Sequence, residues 1–306
     1  MKRANTATAA ALMVCSHLAV AGEWELKTDA TYRDGARLDQ TTYEADGSFD
    51  KRKIKEKHSK EFETQLVHYW LYQDDLKWGV RVGHRYKTQR DRELQLKKSG
   101  KVKKDKSRTE IDRTTYLGLT GEAKVYQQLG ADVWIASFYY DHYLQREYSA
   151  HRLGKDANDR RGSVSGYEWQ ARLYAEYSTP WPSIFVLPYV QFKEERLGLW
   201  YNSARDKVEE AERELQYEAG MSLSWVMPTP GWELNLGGYW QRERDAERRE
   251  NESRWTWQDD ENGVARIVLE YEAPMPGFEF EARFEETLRG PEEGKQRFNV
   301  ELSYEF

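Results

Sequence analysis

The stretch RFNVELSYEF, residues 297–306, decides how the whole chain is read. Phe298, Val300, Leu302, Tyr304 and Phe306 fall on one parity, while Arg297, Asn299, Glu301, Ser303 and Glu305 fall on the other. Successive strand side chains point to opposite faces, so the segment predicts a strand with one apolar and one polar face. It also predicts an ordered last strand that ends on an aromatic residue, where a terminus is usually frayed and polar.

The same period of two recurs along the chain. In EWELKTDATYR (23–33), Trp24, Leu26, Thr28, Ala30 and Tyr32 share a side; in KWGVRVGHRYK (77–87), Trp78, Val80, Val82, His84 and Tyr86 do so. YEWQARLYAEY (167–177), LQYEAGMSLSW (215–225), WELNLGGYW (232–240), ARIVLEYEA (265–273) and FEFEARFEE (278–286) repeat it. Less regular versions are EFETQLVHYWLY, TTYLGLTGEAKV, VWIASFYYDHYL and SIFVLPYVQFK, starting at 61, 114, 133 and 183. With the last strand this makes about twelve, each reaching the roughly 9–11 residues that a tilted strand needs to cross a bilayer.

Composition bounds the choice. The 306 residues are 33% charged and 14% aromatic, with 12 Trp, 20 Tyr and 10 Phe, and the mean hydropathy is −0.95. Such polarity suits a soluble or disordered chain, whereas so many aromatic side chains need an apolar surface to receive them. A barrel in a membrane reconciles the two, because only the lipid-facing parity within the bilayer has to be apolar. A soluble β-sandwich shares the alternation but has no reason to gather Trp24, Tyr86, Tyr177, Trp225, Trp232 and Trp240 near strand ends, where interfacial girdles lie. The longest apolar stretch beyond the N-terminus, SIFVLPYV, is too short for a spanning helix.

Segment 1–21 reads as a secretory signal: Lys2 and Arg3 precede ALMVCSHLAV, and Ala19-Val20-Ala21 forms an A-x-A cleavage site. The expected mature unit is 22–306, a single barrel in the cell outer membrane. The one cysteine, Cys15, leaves with the signal, so neither a disulfide framework nor a thiolate metal site is expected. Removing the two basic residues of that segment leaves 45 basic against 53 acidic residues, which argues against a nucleic-acid binder. Connections alternate between tight turns, such as QQLGAD, MPTPG and PMPG, and long charged loops, the arrangement of short periplasmic turns and longer outer loops. Asp46-Gly47 and Ser99-Gly100 mark two of the long loops as strand-like hairpins.

The search for catalysis finds no constellation. The His-x-Ser of outer-membrane phospholipases is absent, as are the Asp-x-Asp and Asp-x-His pairs of omptin-like proteases. His142 shares its parity with Trp134, Phe138 and Tyr140 and reads as a girdle residue; His58, His68, His84 and His151 show no metal-ligand spacing. Neither an enzyme nor a cofactor is expected.

The polar parity is more informative. Arg81, Arg85, Arg172, Arg266, Arg283 and Arg297 fall near mid-strand and Arg33 nearer an outer end, all facing inward; all but Arg172 belong to one side of the closed wall. Glu168, Glu195 and Glu218, with Tyr174, Tyr189 and Tyr239, face them. A basic track opposite acidic and aromatic groups would orient a charged solute, with phenol rings stacking on sugar faces. The alternative is mutual ion pairing across a blocked lumen. The basic loops KRKIKEKHSK (51–60) and KKSGKVKKDKSR (97–108) suit either anionic solutes or the phosphates of lipopolysaccharide.

The signal segment, the twelve alternating strands, the inward arginines and the ending SYEF resemble the small monomeric porins of the oligogalacturonate-specific family, which also contains sialic-acid channels. The resemblance is one of architecture. It implies passive uptake of acidic oligosaccharides with inward arginines as selectivity residues, and Tyr304 with Phe306 as the signal read by the barrel-assembly machinery. A non-conducting structural or adhesin barrel, or an outer-membrane enzyme of similar strand number, is the alternative.

Overall fold

Alternation at period two commits each segment to a pleated strand with opposite faces in opposite environments, and the computed structural model consists of such strands. It describes residues 23–34, 38–43, 49–73, 75–99, 101–105, 107–152, 158–163, 166–198, 201–202, 211–248, 255–273 and 277–305. The strands are β1 (Glu23–Asp34), β2 (Leu38–Tyr43), β3 (Phe49–Gln73), β4 (Leu76–Leu96), β5 (Val102–Asp105), β6 (Arg108–Tyr126), β7 (Val133–Arg152) and β8 (Asn158–Ser163). Then come β9 (Gly166–Ser178), β10 (Ile184–Leu197), β11 (Tyr201–Asn202), β12 (Ala211–Val226), β13 (Trp232–Arg248), β14 (Thr256–Glu272), β15 (Phe278–Arg289) and β16 (Gln296–Glu305).

Twelve of them form the wall, each antiparallel to the next: β1, β3, β4, β6, β7, β9, β10, β12, β13, β14, β15 and β16. The wall closes where β16 returns to β1, so no strand edge is left unpaired within it. At this seam Leu26, Ala30 and Tyr32 oppose Tyr304, Val300 and Phe298 on the outer face. On the inner face Asn299 donates to Asp29 at 2.6 Å and Thr31 at 2.8 Å, and Ser303 donates to Glu25 at 2.6 Å. The apolar parity of the last strand thus faces outward and its polar parity seals the closure. Tyr304 stands half exposed on the outer wall. Phe306 and residues 1–21, read from sequence as a signal, lie outside the described residues.

The short strands extend the barrel at one end. β2 pairs with β3, β5 with β4, and β8 with both β7 and β11. The two expected hairpins are flanked by the pairs Tyr43–Phe49 and Leu96–Val102, although Gly47 and Gly100 themselves lie outside the described residues. β3 runs for 25 residues, more than twice what a bilayer needs, so the outer end rises beyond the membrane. His58, read from sequence as a loop residue, belongs to this strand.

The opposite end is trimmed by tight turns. Gly231 closes the β12–β13 turn at φ +80°, and a Cβ there would strike the carbonyl oxygen of Glu272, so glycine alone fits. Leu26, Phe62, Trp78, Leu117, Val190, Leu223, Ile267 and Phe298 stand exposed on the outer wall. A water-soluble protein would bury such side chains; a lipid-facing belt exposes them.

Candidate functional site

The registers place every one of the thirteen lumen residues read from the sequence on the inward parity. Across neighbouring strands Arg85 pairs with Glu63, Arg172 with Gln191, Tyr174 with Tyr189, Glu168 with Glu195, and Glu218 with Gln241. Tyr239 lies beside Val264, Arg266 beside Glu285, Arg283 beside Asn299, and Arg33 beside Arg297.

Their surroundings divide the lumen in two. Between β3, β4, β6 and β7 and the ends of β9 and β10 nearer the long extensions, charges are paired and packed. Arg81 grips Asp141 with two arms, Nε reaching Oδ1 at 2.6 Å and Nη2 reaching Oδ2, and its guanidinium lies 4.0 Å from the ring centre of Tyr139 and 5.3 Å from that of Tyr116. Arg85 donates to Glu63 at 3.0 Å and to Glu168 at 3.1 Å. Glu168, 1% exposed, also accepts from the hydroxyls of Tyr139 and Tyr143, with Lys193 at 3.3 Å. Arg146 bridges Asp112 at 2.6 Å and Glu195 at 2.5 Å. Glycines on the wall make room for these groups: a Cβ at Gly83 would collide with Tyr116, and one at Gly118 with Asp141. The structure therefore places Arg81 and Arg85 in ion pairs, not in the open ladder that their spacing suggests. Arg283 pairs with Glu281 at 2.6 Å, and Arg297 is partnered more loosely, with Glu285 at 3.7 Å.

Nearer the tight turns, where β9 and β10 face β13 and β14, lie cations without ion pairs. Arg172 lies 4.9 Å and Arg266 5.0 Å from the ring centre of the same tyrosine, Tyr189. Arg172 also approaches Tyr174 at 5.2 Å, and Arg266 approaches Tyr239 at 5.8 Å. Among the described residues neither guanidinium has an ion pair. Nε of Arg172 is buried without a hydrogen-bond partner, and so is the hydroxyl of Tyr189, a residue only 5% exposed. The sequence reading set Arg172 on the wall facing the other arginines; the long side chains instead span the narrow lumen and meet. Glu218 stays with its own strand, accepting from Gln216.

Above this cluster, towards the long extensions, Arg33, Arg297, Lys87 and Lys295 share a cavity of about 240 Å³ with Glu61, Glu195, Glu214 and Glu243. Below it, Glu270, Glu272, Glu279, Glu281 and Glu301 line a cavity of about 210 Å³. Glu214, Glu243 and Asp245 bring carboxylate oxygens within 4.8 Å of one another, the one group among the described residues with the spacing of a cation site; Lys193 and Lys295 line the cavity beside it. His142 is exposed on the outer wall, and His68 is buried there against Trp24, ring centres 4.4 Å apart.

Sequence reasoning missed Asp141, Tyr116, Tyr139, Tyr143 and Arg146. Asp141 could have been found, since His142 beside it was assigned to the outer parity. Tyr116 could have been found too, since it shares the parity of Thr114, Gly118 and Thr120 on β6. The arginine at 146 could not: the bulge opposite Thr115/Tyr116 leaves Leu144 as an extra residue on β7, and strict alternation fails across it.

No protein-family model and no curated protein matches the chain. Solved structures do. The transport unit of the autotransporter AIDA-I from Escherichia coli superposes with a TM-score of 0.57 at 10% identity, covering 94% of this chain and 92% of that one. The beta domain of the Bordetella autotransporter BrkA gives 0.55 at 12% identity, over 94% and 100%. The COG4313 outer membrane channel from Pseudomonas putida F1 gives 0.51 at 12% identity, over 93% and 96%. The chain shares with them the outer-membrane barrel fold, and its place is the cell outer membrane.

Proposed function

We propose that the protein is a passive outer-membrane channel for small anionic solutes, with acidic oligosaccharides as the best-fitting class. The observation that carries this is the pair Arg172 and Arg266, which face one buried tyrosine ring and make no ion pair among the described residues. An unpaired guanidinium inside a barrel is costly unless something supplies the opposite charge. A solute carboxylate supplies it, bound by a planar fork that stays protonated at any working pH. The rings of Tyr174, Tyr189 and Tyr239 offer apolar faces to a sugar, and the free hydroxyl of Tyr189 offers a hydrogen bond.

Passage also requires release. A site that holds an anion too firmly blocks its own channel, and the glutamates below the cluster weaken the hold by repulsion on that side. Transport needs no reacting group, and no catalytic role is proposed for any residue. Planar-bilayer recording of the purified protein tests the reading. Conductance is expected, with a reversal potential favouring anions, and R172S/R266S should shift it toward cations and slow galacturonate oligomers more than neutral ones. Complete absence of conductance would favour a structural barrel, and unchanged selectivity would remove the anionic preference.

A further inference from the structure

The outer wall carries a groove of about 780 Å³ that the channel reading does not use. Its floor is made of small residues, Gly121, Ala171 and Ala219, and its walls of Phe138, Phe192 and Trp240. The groove follows one hydrogen-bonded row across the sheet, in which Trp78 opposes Gly121, Gly121 opposes Phe138, Phe138 opposes Ala171, Ala171 opposes Phe192, and Phe192 opposes Tyr217. The next partner in the row, opposite Tyr217, is Arg242. Since strands of such barrels tilt, a row that begins beside a tight turn climbs toward the outer surface as it crosses the wall.

At its upper end lies a basic and aromatic patch. Trp257 is flanked by two guanidiniums, Arg244 at 4.8 Å and Arg213 at 5.6 Å from its ring centre, with Arg242 one step below. Asp259 accepts from Arg244 at 2.7 Å and from Arg242 at 3.0 Å, Arg242 also lies 3.7 Å from Glu261, and Glu194 accepts from Arg213 at 2.9 Å. These hydrogen bonds, from Arg244 first, hold the Asp259 carboxyl below its usual range. Each guanidinium has five N–H donors, so both arginines keep donors for another acceptor.

The geometry points to a binding site for an acylated, phosphorylated glycolipid of the outer leaflet, with an acyl chain in the groove and phosphates on Arg213, Arg242 and Arg244. An apolar slot that ends on three guanidiniums with N–H donors left beyond their carboxylate partners matches an amphiphile with anionic headgroup and hydrocarbon tail. A second barrel presents a convex wall, which cannot enter a groove. The paired guanidiniums over one indole favour a headgroup bearing more than one phosphate.

The test is native mass spectrometry of the full, detergent-folded protein with three probes: bisphosphorylated lipid A, its dephosphorylated form, and phosphatidylglycerol. Bisphosphorylated lipid A should be retained, and the other two at least tenfold less. R242Q/R244Q, and separately A219F to fill the groove, should lower retention at least tenfold while heat-modifiable migration and conductance stay unchanged. Equal retention of phosphatidylglycerol, a dimer without lipid, or variants that bind as the parent does would overturn the proposal. Should either variant fail to fold, the comparison of the two lipid A forms on the parent protein decides it.

Discussion

Arg81 and Arg172 carry the same charge on the same inward parity, and their neighbours give them opposite roles. Arg81 is locked to Asp141, which is fully buried, between two tyrosine rings. Removing one partner of such a pair leaves an uncompensated charge, at a cost of about 3–5 kcal/mol. Arg81→Ala should therefore lower the urea midpoint of the folded, heat-modifiable band strongly. The double replacement R81M/D141L should recover most or all of the loss, because a buried pair gives back in attraction about what it costs in desolvation. Arg172 has no such partner to strand, so its removal should act on selectivity and leave the unfolding midpoint near that of the parent.

At the scale of the strand, the two faces of β16 obey different rules within one residue. Val300 points outward between Phe298 and Leu302 in the lipid belt, whereas Glu301 points inward to the glutamate-lined cavity. A lysine near the middle of the lipid-facing belt costs about 2–4 kcal/mol, and a polar change on the lumen side costs far less. Val300→Lys should thus destabilise the barrel and reduce its assembly in vesicles, measured as the fraction of heat-modifiable protein, while Glu301→Gln should leave that fraction nearly unchanged. The seam amplifies the contrast, since β16 also closes the wall through the bonds of Asn299 and Ser303 to β1.

Across the whole molecule, the lumen is asymmetric: ion pairs and tyrosines pack between β3–β7 and the outer ends of β9 and β10, and the unpaired Arg172 and Arg266 meet nearer the tight turns. The packed region limits the free cross-section. Tyr116 and Tyr143 form its centre with Leu197, and Glu63 and Glu168 accept from their hydroxyls. Y116A/Y143A should raise single-channel conductance in planar bilayers but leave the sign of the reversal potential unchanged, because Arg172 and Arg266 remain. The barrel shape itself is common to channels and autotransporter units at 10–12% identity, so the side chains inside it, and not the wall, distinguish what the protein does.

Alternation was enough to give the twelve wall strands, the face that meets lipid, the closing role of RFNVELSYEF and the inward direction of all thirteen lumen residues. A period of two assigns a side chain to a face, and a membrane barrel gives each face one environment, so the reading is local and survives without any knowledge of distant segments. Which inward groups meet is a different matter. Arg81 finds Asp141 at a separation of 60 residues, Arg85 finds Glu168 at 83, and Arg172 and Arg266 meet on Tyr189 from strands β9 and β14. Those meetings depend on how the sheet curls, on the stagger at closure and on the bulge at Thr115/Tyr116, which only the closed barrel sets. The tertiary structure alone therefore separated arginines locked in buried ion pairs from arginines that make none among the described residues.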